Sequence, residues 1–214
     1  MIVAAAVCPH PPLLVPEVAR GAAPEVAALL DACDGAVGAL LACAPTQVVV
    51  VTAGAPGCWG VAAGGSLRGY GVDVHAGGAS EELSLGLTLG AWLLDRAGWQ
   101  GSRSYTTAAP DTSGRTALLV MADGSARRSE KAPGYLDPRA EGFDSTVAAA
   151  LATGEADALV ELDLDLAEEL LATGAPTLAL LGSVTKGADI TARLRCETAP
   201  FGVGYWVADW VMTG

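Results

Sequence analysis

The chain has 214 residues, enough for one sizeable hydrophobic core. Hydrophobic residues make up 51% and charged residues 17%, a composition that excludes a disordered chain. The formal net charge of −12 argues against nucleic acid or an anionic membrane surface as the main partner. Five widely spaced cysteines (Cys8, Cys33, Cys43, Cys58, Cys196) form no CxxC pair, which points to reduced, buried thiols rather than a disulfide framework or zinc cluster. The start lacks a basic region and Pro9 interrupts its apolar run, and no stretch reaches the ~18 apolar residues of a membrane span. A soluble, cytoplasmic protein is the expectation.

The apolar run Ile2 to Val7 predicts a first strand. Cys8-Pro9-His10-Pro11-Pro12-Leu13-Leu14 follows as a rigid turn, because each proline fixes its own φ and restricts the residue before it. A histidine on a stiff loop at a strand's carboxyl end is where an open α/β protein places a metal ligand or proton-transfer group. It can equally do no more than close the turn.

Pro24 and Glu25 suit a helix start, and Val26, Leu29, Leu30, Cys33, Val37, Leu40 and Leu41 recur at helical spacing to about Cys43. Gln47 to Thr52 is a continuous β-branched run of the kind buried on both faces of a parallel sheet, which makes the opening a βαβ unit. Ala53 to Gly78 reads as a loop and a short hairpin, with weak strands at Val61 to Leu67 and Gly71 to His75. No GxGxxG or GxxxxGK[ST] pattern appears in it.

Ser80, Glu81 and Glu82 resemble a helix start, with Leu83 to Leu94 as a buried helix. Thr116 to Met121 is the next strand, ending at Asp123-Gly124-Ser125. Those three residues are well placed to line a cleft, or simply to make a tight turn. Arg127, Arg128 and Lys131 form a basic knot in an acidic chain. They can clamp an anionic ligand, or form a solvated loop that pairs with Glu130, Asp137 and Glu141; the second reading is favoured, because exposed ion pairs are common. Asp137-Pro138 opens a helix through Phe143, Val147 and Leu151. Glu155 to Thr173 reads as one or two helices, and Ala175 to Val184 as a helix or strand. Two strands at Thr191 to Thr198 and Val203 to Val211 close a single domain, 1–214, without internal repeat.

Three segments, VCPHPPLLVPEV, VVVVTAGAPG and MADGSARRSEKAPGYLDPRAEGFDSTV, in this order and spacing resemble the class III extradiol ring-cleavage dioxygenases, specifically the catalytic-subunit domain of the family that includes protocatechuate 4,5-dioxygenase, with Memo-like proteins as relatives. The resemblance implies an α/β fold: a three-layer α/β/α sandwich with a mostly parallel central sheet, here with an extra hairpin and C-terminal strands. It also implies non-haem Fe(II), or another divalent metal, held by two histidines and a carboxylate, with a further histidine as acid/base.

Carried over position by position, the first ligand matches His10. Gly54 stands where the second histidine belongs, Ala126 follows Ser125 where the acid/base histidine belongs, and Gly174 to Leu178 offers no carboxylate. Glu168 and Glu169 precede that stretch, but neighbours on a helix cannot face one site together. The expectation is therefore a dioxygenase-like domain with a degenerate iron site, its cleft lined by His10, Pro11, Gly54, Asp123, Gly124 and Ser125, and a role in small-molecule binding or a non-catalytic one. His75, Cys8, Cys58, Asp73 or Asp123 can be imagined completing a different metal site with His10. The alternatives are an active metal-dependent oxidoreductase on a catechol-like aromatic, and a scaffold that assembles with itself or a partner. Whether the chain is an enzyme stays open.

Overall fold

The apolar runs become the interior of a seven-stranded sheet in a computed structural model that describes residues 1–213. In chain order the elements are β1 (Ile2–Cys8), α1 (Pro16–Ala19), α2 (Ala23–Ala42), β2 (Gln47–Thr52), β3 (Cys58–Trp59), β4 (Ala63–Ser66), β5 (His75–Gly77), β6 (Ser80–Glu81), α3 (Leu85–Arg96), β7 (Ser102–Thr106), β8 (Thr116–Met121), α4 (Ala140–Thr153), α5 (Ala156–Val160), α6 (Leu164–Glu169), α7 (Ala175–Thr185), β9 (Ile190–Thr198) and β10 (Tyr205–Met212). The large sheet runs β3-β7-β2-β8-β1-β10-β9. Strands β7, β2, β8 and β1 are mutually parallel, while β3, β10 and β9 pair antiparallel at its two sides.

Side-chain alternation explains why the central strands carry no polar face. Ala4, Ala6, Cys8, Val48, Val50, Leu119 and Met121 pack on one side with α2 and α3. Ala5, Val7, Val49, Val51, Leu118 and Val120 pack on the other with α4 to α7. The result is a three-layer α/β/α sandwich whose sheet is mostly parallel. A small sheet in the order β5-β4-β6 lies beside α3, on the first side.

Several boundaries differ from the sequence reading. Ser80–Glu81 does not open a helix. It pairs in parallel with β4, and α3 begins at Leu85, where the Ser84 carbonyl accepts the Thr88 amide at 2.8 Å. The hairpin expected over Val61 to Leu67 and Gly71 to His75 is present as β4 and β5, but its second strand starts only at His75, after a 3-10 turn at Arg68–Tyr70.

Strand β7 is absent from the sequence reading, because SRSYT offers no apolar run; only its end, Tyr105 and Thr106, is buried. Helix α4 begins at Ala140 rather than at Pro138. Asp137 still organises the entry, its carboxylate accepting the Arg139 amide at 2.9 Å and its carbonyl accepting the Ala140 amide at 3.0 Å. The ambiguous segment after Gly174 is the helix α7.

Candidate functional site

Strand register puts two candidate side chains next to each other. Cys8 on β1 pairs with Met121 on β8, so residues two positions beyond each strand, His10 and Asp123, leave the sheet side by side at the carboxyl ends. Both backbones are tied down there. The Ala122 amide donates to the Cys8 carbonyl at 2.9 Å, and the Gly174 amide donates to the Asp123 carbonyl at 3.0 Å. Pro11 and Pro12 then fix the exit of the His10 loop, with a 3-10 turn at Pro12–Leu14.

Asp123 grips His10 twice. Its carboxylate accepts the His10 backbone amide at 2.7 Å and lies 3.2 Å from the imidazole Nδ1. The two side chains are 19% and 16% exposed, so the pair is sheltered yet reachable. Burial alone would lower the imidazole pKa, but the hydrogen bond and charge of Asp123 outweigh it, and the net displacement is upward from 6.5. With Nδ1 facing Asp123, Nε2 is the nitrogen left to meet a ligand. The Tyr205 phenol is pushed upward by burial and then by the Asp123 charge, so it stays neutral in this setting.

Two glycines make room for the arrangement. A Cβ on Gly86, in the first turn of α3, would lie 2.7 Å from Thr52 Oγ1 and 3.2 Å from His10 Cδ2. A Cβ on Gly174 would lie 2.5 Å from the Asp123 carbonyl oxygen. Any side chain at either position would shift one partner of the pair.

His10 and Asp123 face a cavity of about 460 Å³, within the usual range for small-molecule sites. Pro11, Gly124, Leu85, Val203 and Tyr205 also line it. Ala126, where the resemblance implies a histidine, lines it too.

Two expected pocket residues lie elsewhere. Gly54 is exposed after β2 and faces Thr107. Ser125 is fully buried behind the cavity, its hydroxyl donating to the Leu170 carbonyl at 2.8 Å and its amide to Asp144 at 3.0 Å. Past β8 the chain stays extended: Asp123 bridges Tyr205, the Gly124 amide donates to the Gly204 carbonyl at 2.7 Å, and the Ser125 carbonyl accepts the Gly204 amide at 2.9 Å.

The basic knot divides into separate roles. Arg128 pairs at 2.8 Å with Asp144, a carboxylate with no exposed side-chain surface, and reaches toward Glu141 at 3.7 Å. Burial pushes the Asp144 pKa up, against the Ser125 amide and the Arg128 charge. Arg128 is therefore engaged within the fold. Lys131 is exposed. Arg127 is partly buried, and its Nε has no hydrogen-bond partner among the described residues.

No family model matches the chain, and no curated protein matches it. Its chemistry must be read from its own donors. Among the described residues, no group of three or more His, Cys, Asp or Glu side chains is placed to hold a metal ion. At the cleft, the two available donors are bonded to each other. A three-ligand Fe(II) centre of the kind the resemblance implies does not fit this set.

The other candidate ligands are dispersed. His75 is exposed on the small sheet, Asp73 pairs with Arg68 at 2.9 Å, and Cys58 lies 3.2 Å from Thr106 Oγ1. Cys8 points into the α2 side of the core, where its hydrogen bond with Cys33 pushes the Cys33 thiol pKa well up. Glu169 pairs with Arg139 at 2.7 Å. Leu85, Val203, Tyr205 and Leu171 were not foreseeable as cavity residues, since each is an ordinary apolar or aromatic residue in sequence and only tertiary contact assigns it.

Proposed function

We propose that the chain is a small-molecule-binding domain on a scaffold resembling the catalytic domain of the class III extradiol dioxygenases. In this reading His10 exchanges a proton or hydrogen bond with the bound molecule and does not ligate iron. One observation carries it: His10 and Asp123 pair with each other at the carboxyl ends of β1 and β8, facing a cavity of about 460 Å³. Asp123 orients the ring, raises its basicity and leaves Nε2 to accept from, or donate to, a polar group on the ligand. The apolar walls at Leu85, Pro11 and Val203 favour a ligand with substantial apolar surface.

Anaerobic titration with Fe(II), followed by aerobic incubation with protocatechuate-like catechols, tests this assignment. The proposal predicts no tight equimolar iron and no yellow ring-opened product. Stoichiometric tight iron, with turnover lost in His10→Ala, would overturn it in favour of an active metal-dependent dioxygenase.

A further inference from the structure

The His10 cavity does not end at its own wall. A second cavity, of about 430 Å³, lies between α6 and α7 and shares Leu171 and Thr173 with the first. Leu164, Ala167, Ala172 and Pro176 give this outer chamber a largely apolar lining.

Leu171 is an unusual residue for its position. Helix α6 ends in a Schellman turn: the Ala172 amide donates to the Ala167 carbonyl at 2.8 Å, and the Leu171 amide to the Glu168 carbonyl at 3.0 Å. The residue at this point of such a turn takes a left-handed backbone, and Leu171 has φ 55°. Glycine adopts that conformation without strain, whereas a bulky side chain adopts it at a cost. The leucine is nevertheless 40% exposed, so burial in the core does not account for it. Strained residues of this kind concentrate at ligand sites, and this one lines both chambers.

We infer that the two chambers form one trough for a single elongated ligand, with an O–H head group at His10 Nε2 and an unbranched apolar tail passing Leu171 into the α6–α7 chamber. This rests on the small-molecule reading of the His10 cleft and extends it to a ligand class. A neutral O–H head suits the site better than a carboxylate, because Asp123 already places a negative charge beside the ring. The tail replaces water over Leu164 and Leu171, both exposed in the free protein.

Titration of the intact chain with straight-chain primary alcohols from butanol to decanol tests the trough, read by calorimetry and by the NMR signals of the two imidazoles. His75, on the small sheet, serves as the internal reference. The His10 signal is expected to move while His75 stays still, and affinity to rise about fourfold per added methylene, from ~0.8 kcal/mol of burial for each. The corresponding methyl ethers, which lack the donor, should bind more weakly. Leu171→Asn, which tolerates the left-handed turn and so keeps the fold, should flatten the rise with chain length. If butanol moves His10 but longer alcohols bind no tighter, or if Leu171→Asn leaves the slope unchanged, the trough is refuted and the His10 cleft stands. If no alcohol moves His10, the cleft assignment falls, and the trough with it.

Discussion

The imidazole of His10 is pulled in two directions, since burial favours the neutral ring while the Asp123 carboxylate favours the imidazolium, and the net displacement is upward from 6.5. A group whose pKa is higher folded than unfolded contributes stability that is fully present below its unfolded value. That contribution is lost as pH rises through the folded value. Thermal melts of wild type and His10→Gln across pH should therefore differ most below pH 6.5, and the difference should shrink as pH rises past the folded pKa.

Two adjacent leucines offer a second test at this scale. Leu170 is fully buried, so Leu170→Ala should cost about 2–5 kcal/mol in denaturant unfolding. Leu171→Gly removes a half-exposed side chain but relieves a left-handed backbone worth about 1–2 kcal/mol, so its net effect should stay within about 1 kcal/mol. The proline-flanked His10 and the strand-end Asp123 were legible in the sequence. The cost and the place of Leu171 were not, because a leucine gives no sign in sequence that a helix ends in a left-handed residue there or that a cavity lies beside it.

At the scale of elements, the strands with β-branched or apolar runs were readable because both faces of β1, β2 and β8 are buried. Strand β7 was not, since Ser102, Arg103 and Ser104 are only half-buried or exposed and its strand character comes from pairing with β2. The start of α3 was misplaced for a related reason: Ser80 and Glu81 have good helix-start chemistry but are captured by β4.

Two packing joints between elements are open to mutation. Gly86→Val should crowd Thr52 and His10, costing about 1–3 kcal/mol in unfolding and shifting the His10 imidazole signal. Arg128→Leu removes the partner of the fully buried Asp144 and should cost about 3–5 kcal/mol, because the carboxylate is left without its cation and with only the Ser125 amide donating to it.

For the molecule as a whole, the α/β/α layering explains where the His10–Asp123 pair sits. Helices cover both faces of the central sheet, so the carboxyl ends of its parallel strands are where His10 and Asp123 emerge. Among the described residues no helix is long and apolar enough to cross a membrane. The fold class was legible from alternating strands and helices. The composition of the site was legible only in part, because a histidine's partner is set by register between strands far apart in sequence.

The central claim is that Asp123 holds His10 as a proton-exchanging group. NMR titration of the two imidazoles in the intact chain and in Asp123→Asn tests it most directly. His10 is expected to titrate above 6.5 in wild type and to fall in Asp123→Asn. A wild-type His10 that titrates at or below 6.5, or that is indifferent to the loss of the Asp123 charge, would contradict it.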